Sequence, residues 1–101
     1  RKAVQFEWDE AKRQRVIAER GVDLLYAALI FEGPVLTRRD NRRDYGEDRM
    51  ISLGMVEDEC FVVVHTTRDD AVRLITAWKG GRDDRDIYQA RIAGGASPDE
   101  G

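Results

Sequence analysis

Phe61-Val62-Val63-Val64-His65 constrains the fold more than any other stretch of this chain. Successive side chains of a strand point to opposite faces, so a run that is apolar at consecutive positions is apolar on both faces and predicts a central strand. Its flanks carry turn signals, Glu57-Asp58-Glu59 before it and Arg68-Asp69-Asp70 after it. Upstream, from Arg49, Ile51, Leu53 and Met55 share one face while Ser52 and Gly54 fall on the other, the alternation of a half-buried antiparallel strand. Downstream, Val72 to Lys79 predicts the last strand, and Val35 to Arg38 a short first one, with Arg39 to Gly46 as the polar loop or hairpin tip that follows it.

Ahead of Pro34 the period is helical. Phe6-Glu7-Trp8-Asp9-Glu10 alternates apolar and acidic residues and reads as a short strand or extended arm, with Asp9 placed to cap a helix running to Arg20 and Gly21 placed to end it. Asp23 can cap a second helix, Leu24 to Phe31, which is apolar at nearly every position and is expected to be largely buried; Gly33-Pro34 stops it. Ile87, Tyr88 and Ile92 recur at helical spacing in a closing helix over 82–92. The expected fold class is α+β: an N-terminal helical pair packed on a mostly antiparallel four-stranded sheet with a C-terminal helix, leaving part of one sheet face open.

The 101 residues suffice for one domain, placed at 1–93, with a disordered tail over 94–101 that lacks core formers. No stretch approaches the roughly 20 apolar residues of a membrane span, the N-terminal residues lack an apolar signal core, and the cytoplasm is the expected compartment. Cys60, the single cysteine, can form neither an internal disulfide nor a thiolate cluster and reads as a small buried hydrophobe, so stability must come from packing or a partner. Net charge is -3, which argues against an indiscriminate grip on nucleic acid. The distribution is uneven, with Lys12, Arg13, Arg15, Arg20, Arg38, Arg39, Arg42, Arg43 and Arg49 facing seven acids over the same stretch. Such a local basic face on an acidic body suits a selective RNA contact, or equally a surface that meets a basic partner.

Phe6-Glu7-Trp8-Asp9-Glu10-Ala11-Lys12 resembles the opening signature of the BrnT toxin family, and further matches follow in the family's order. Gly21-Val22 resembles its "HGV", with Arg20 at the histidine. Phe31 and Gly33-Pro34 resemble the end of its second helix, and Glu47-Asp48-Arg49 with Ile51 and Gly54 its "ExRxxxxG" strand. Val62 to Arg68 stands where the family has "VVVYTER", Arg73 to Lys79 where "RIISARK" is common, and Asp84-Arg85 with Tyr88 matches "ERxxY". Trp78 replaces a basic residue and Asp83 an arginine. The resemblance implies a RelE-like fold, an RNA-cleaving activity that arrests translation, and a BrnA-like ribbon-helix-helix antitoxin through which operator DNA would be reached. A toxin-antitoxin heterotetramer is the expected assembly, since such antitoxins are dimers.

Metal-independent RNA cleavage needs a base for the 2′-hydroxyl proton, cations for the charge that builds on phosphorus, and an acid for the leaving 5′ oxygen. His65 is the one side chain titrating near neutrality without perturbation, at the end of a central strand where an open face would be reached; a histidine hydrogen-bonded at a sheet edge reads the same way. Glu47 and Arg49, two apart, would project from one face as a carboxylate base beside a phosphate-binding guanidinium, or form a surface ion pair. Arg85 is the candidate phosphate contact of the last helix. These four are the expected catalytic residues, and Arg68, Arg73, Lys79 and Tyr88 the expected RNA contacts; Arg73 and Lys79 share strand parity. Trp8 and Trp78 could stack on bases, though Trp8 reads better as a core or interface residue. Consecutive carboxylates at 57–59 and 83–86 do not converge on one ion, so no metal site and no cofactor is expected. The rival reading is a non-catalytic, toxin-derived subunit acting as co-repressor with a ribbon-helix-helix partner.

Overall fold

The computed structural model describes residues 5–44 and 46–94. The N-terminal four residues, the hairpin-tip Tyr45 and all of the expected tail except Gly94 lie outside the described residues; Gly94 itself ends the last helix.

Phe61 to His65 does form the middle of the sheet. It belongs to β4 (Glu59–Arg68), flanked by β3 (Met50–Val56) and β5 (Ala71–Lys79), with β2 (Leu36–Arg39) outside β3. Each of these pairs is antiparallel. The two expected turns are two-residue hairpins. Asp69 and Asp70 take φ of 52° and 69°, the left-handed pair that matches strand twist and that a short polar side chain tolerates.

The expectation of four strands is corrected to five. The N-terminal arm is a true strand, β1 (Gln5–Glu7), running parallel to β5 with Phe6 opposite Val72. It is fixed there because Phe6 tucks against Phe31, ring centroids 5.8 Å apart, while Glu7 faces away. The sheet is therefore mixed, in the order β1-β5-β4-β3-β2.

Helix α1 (Glu10–Arg20) starts where Asp9 accepts from the amides of Ala11 and Lys12, at 2.9 and 3.3 Å, and ends at left-handed Gly21. Asp23 caps α2 through Leu25 N–H and is gripped by Arg13 through Nε and Nη2, both at 2.8 Å. Arg13 holds the Asp23 carboxyl below its ordinary range, which ties the two helices together. The second helix is shorter than its apolar run suggested: α2 covers Leu24–Ala27 and tightens into a 3₁₀ turn, Ala28–Glu32. That change of pitch buries Leu24, Ala27, Ala28 and Ile30 but leaves Tyr26 and Leu29 exposed. Helix α3 (Arg82–Gly94) is the last element of the described residues.

The helical pair covers one sheet face, where Phe61, Val63, Leu74 and Ala77 meet Val16, Leu24 and Ile30. On the opposite, outer face Val62, Val64, Ile51, Leu53, Ile75 and Trp78 form a second, smaller cluster. Strand β3 is accordingly buried on both faces, not on one as its alternation suggested. Ser52 and Gly54 are the side that meets the helical layer, because small residues there let the 3₁₀ turn approach: a Cβ on Gly54 would stand 2.7 Å from the Ile30 Cβ. Replacing Gly54 by Ala is expected to cost about 1–3 kcal/mol, since backbone and a β-branched side chain would have to shift. A lower urea midpoint at unchanged slope is the signature to measure; an unchanged midpoint would contradict this packing.

Candidate functional site

A bulge decides which charged residues can act together. Between Val64 and His65 the β4–β5 register slips: Val64 opposes Thr76 but His65 opposes Leu74, leaving Ile75 as the extra residue. Arg73, opposite Thr66, and Lys79, opposite Phe61, therefore sit on opposite faces, although the sequence spacing put them on the same one. Lys79 pairs with Glu59 at 3.0 Å and Arg73 approaches Glu7 at 3.8 Å.

At the end of the sheet where β3 begins and β4 stops, Glu47 and Arg49 form an ion pair, Arg49 Nε to Glu47 Oε2, at 2.9 Å. They lie in the loop before β3 and not within the strand. The pair stays together because the Asp40 amide donates to the Arg49 carbonyl at 2.8 Å, extending the β2–β3 ladder by one step, and because Thr66 Oγ1 donates to the Asp48 carbonyl at 2.6 Å. Arg39 is bridged to Asp48, and Arg42 is bidentate on the fully buried Asp40 carboxylate, at 2.8 and 2.7 Å. Glu47, Thr66, Thr67 and Arg68 line one open cleft of about 480 Å³. The result is a carboxylate flanked by guanidinium groups at a solvent-accessible edge, suited to holding a phosphodiester and accepting a proton beside it.

The structure does not bring Arg85 or Lys79 to this cleft. Arg85 Nη2 donates to the Asp58 carbonyl at 2.8 Å, in the β3–β4 turn, at the far end of β3. Six residue-to-residue steps along β3 at about 3.3 Å each put its two ends about 20 Å apart. Tyr88 is buried and its hydroxyl donates to the Pro34 carbonyl at 2.7 Å, docking α3 onto the chain before β2. Trp8 is half-exposed, donating to Glu10 at 2.9 Å. Trp78 lies on the outer face with the guanidinium carbons of Arg20 and Arg42 at 5.3 and 5.6 Å from its ring centre. Among the described residues no cluster of His, Cys, Asp and Glu could hold a metal ion.

His65 does not reach an open face. It points under the helical pair, 8% exposed, edge-on to Phe31 with ring centroids 5.1 Å apart. Its Nε2 shares a 2.7 Å hydrogen bond with Ser52 Oγ, which in turn meets Thr37 Oγ1 at 2.7 Å, so one polar chain crosses β4, β3 and β2. Nδ1 is buried without a partner. This chain was missed in the sequence because Ser52 and Thr37 are ordinary polar strand residues until their register is known. Arg38 and Arg91 were also missed as possible ligand contacts; for Arg91 a signal existed, since Asp84, Ile87 and Arg91 share one face of α3.

Burial pushes the His65 pKa below its ordinary value. The folded protein thus holds this ring neutral more firmly than the unfolded chain does. Its contribution to stability is complete above the unfolded value of about 6.5 and is lost as pH falls through the lower folded value. The urea midpoint is expected to drop from about pH 7.5 to about pH 5.5, and a His65→Gln protein to show a flatter profile over that window. Equal slopes for the two proteins would contradict this.

Residues 8–84 match the family model for the ribonuclease toxin BrnT of type II toxin-antitoxin systems. The fold is similar to that of the Brucella abortus ribonuclease toxin BrnT in a 1.1 Å crystal structure, with a TM-score of 0.58 at 21% sequence identity, covering 79% of this chain and 100% of that one. No curated protein matches the chain.

Proposed function

The chain belongs to the BrnT family of ribonuclease toxins of type II toxin-antitoxin systems, and from that premise we propose that it is a metal-independent endoribonuclease whose reaction centre is the cleft at the start of β3. The observation that carries this reading is the Glu47–Arg49 pair at 2.9 Å beside a cleft that Glu47 shares with Arg68. In the proposed reaction Glu47 accepts the proton of a ribose 2′-hydroxyl. The freed oxygen attacks the adjacent phosphorus, a 2′,3′-cyclic phosphate forms, and the bond to the 5′ oxygen breaks, that oxygen taking its proton from water. Arg49 and Arg68 face the non-bridging oxygens, where charge builds in the transition state. Arg73 is assigned to the phosphate next along the strand. Arg85 and Lys79 would meet RNA only at a distance, and Tyr88 acts by holding α3 in place. His65 is assigned a positioning role, joining the strands through Ser52 and Thr37.

Membership of a toxin-antitoxin family implies an antitoxin partner. The proposal extends to a BrnA-like ribbon-helix-helix dimer carrying two toxin chains, to translation arrest when the toxin is free, and to action in the cytoplasm. No helix among the described residues is long and apolar enough to cross a membrane.

Purified protein incubated with a defined RNA in the presence of a chelator is expected to yield 2′,3′-cyclic phosphate ends. Glu47→Gln and Arg49→Ala should each lower the rate by about 100-fold or more, while Arg85→Ala stays within about tenfold of the parent. Cleavage that survives in both cleft variants would move the site elsewhere. No cleavage by the parent, with the antitoxin complex intact, would favour the co-repressor reading.

A further inference from the structure

Between the outer sheet face and α3 lies a groove of about 400 Å³, away from the Glu47–Arg49 cleft. Its size falls within the range of small-ligand sites, about 300–1,000 Å³. Trp78, Val62 and Leu53 lie side by side on one rung across three strands, and Ile51 continues the floor on the next rung beside Arg38. Helix α3 supplies the wall through Ile87, which is 52% exposed, with Asp84 and Arg91.

Two features identify what fits there. First, the charge around this apolar floor is positive on balance. Arg38 and Arg91 form no hydrogen bond or ion pair within the described residues, and Arg20 and Arg42 stand over Trp78. Arg42 is already matched by buried Asp40, and among the residues lining the groove the one acid, Asp84, accepts from the Gly81 amide at 3.1 Å, as a helix-start contact. Second, the floor is flat and contains an indole. An apolar peptide would fill the floor but strip water from Arg38 and Arg91 without returning a counter-charge, an unfavourable exchange. A ligand with a flat aromatic part and an attached anion satisfies both features.

We infer that this groove is a nucleotide subsite for single-stranded RNA, with a base against Trp78 over Leu53 and Val62 and its phosphate between Arg38 and Arg91. The subsite rests on the ribonuclease reading for its substrate and lies a few nucleotides from the cleft, since Leu53 is four strand residues, about 13 Å, from Arg49. Arg20, exposed and held only against the ring, swings aside to admit the base and then covers it. Stacking of this kind accepts any base and sets affinity more than rate.

The test uses a 2′-O-methyl RNA oligonucleotide, which lacks the hydroxyl needed for cleavage, and the full chain carrying Trp8→Phe, so that Trp78 is the sole tryptophan and can be excited selectively at the red edge, away from the tyrosines. Saturable quenching of Trp78 is expected. Trp78→Leu should weaken oligonucleotide binding, measured by anisotropy, about 5- to 100-fold, and Trp78→Phe should restore most of it. Arg38→Ala and Arg91→Ala should each weaken binding and lower its salt slope by about one. If Trp78→Leu does not fold, the two arginine variants decide. Binding with quenching but no cleavage of ordinary RNA would uphold the subsite and overturn the ribonuclease reading. Cleavage with unchanged KM in Trp78→Leu and both arginine variants would overturn the subsite alone. Quenching by the antitoxin and not by the oligonucleotide would also overturn it, marking the groove as a protein-docking surface.

Discussion

Strand β4 is apolar on both sides, and Val63 and Val64, adjacent in sequence, are both fully buried while facing opposite ways. Each face of such a strand requires its own cover. On one side α1, α2 and the 3₁₀ turn supply it. On the other the cover is partial: Arg42 reaches Trp78 from the loop after β2, and α3 leans across the outer face near β2 and β3. The two sides are unequal because the helical pair delivers a row of apolar side chains, whereas α3 is held largely by the Tyr88–Pro34 and Arg85–Asp58 hydrogen bonds. An incompletely covered apolar face with cations at its edge is the surface this fold offers to other molecules.

The bulge at Val64 and His65 sorts the polar residues that this sheet carries. Without it, strict alternation would place Arg73 and Lys79 on one face; with it, Arg73 keeps company with Thr66 on the outer side and Lys79 turns toward the helical side. The charges then divide along the strand axis as well. Glu47, Arg49 and Arg68 gather where β3 starts and β4 ends, and Arg85 and Lys79 gather near the β3–β4 turn. A chain that is net acidic thus concentrates guanidinium groups at one edge. Arg49 is held by Glu47, Arg39 by Asp48 and Arg42 by buried Asp40, so these cations are positioned before any ligand arrives.

His65 shows how burial changes the meaning of a residue type. An exposed histidine would be the natural proton-transfer group near neutrality. Under Phe31, with Nε2 committed to Ser52, the ring instead links three strands through Ser52 and Thr37, and burial favours its neutral form. The carboxylate of Glu47, by contrast, is accessible and lies beside a cation, the arrangement on which the proposed chemistry depends.

Local chemistry in the sequence determined the caps at Asp9 and Asp23, the stop at Gly21, the two tight hairpins, the central place of Phe61 to His65 and the α+β class, because each depends on a few neighbouring residues and on periodicity. The Glu47–Arg49 pair was legible for the same reason, being two residues apart. Tertiary structure alone decided that the N-terminal arm becomes a parallel fifth strand, since that requires Phe31 to receive Phe6. It also decided that Ser52 and Gly54 face the helices, that His65 is enclosed, and that Arg85 stands at the opposite end of β3 from the cleft. These outcomes turn on strand register and on one extra residue at Ile75. A one-residue shift in pairing sends every later side chain to the other face, and nothing in the local sequence around Val64 carries that information.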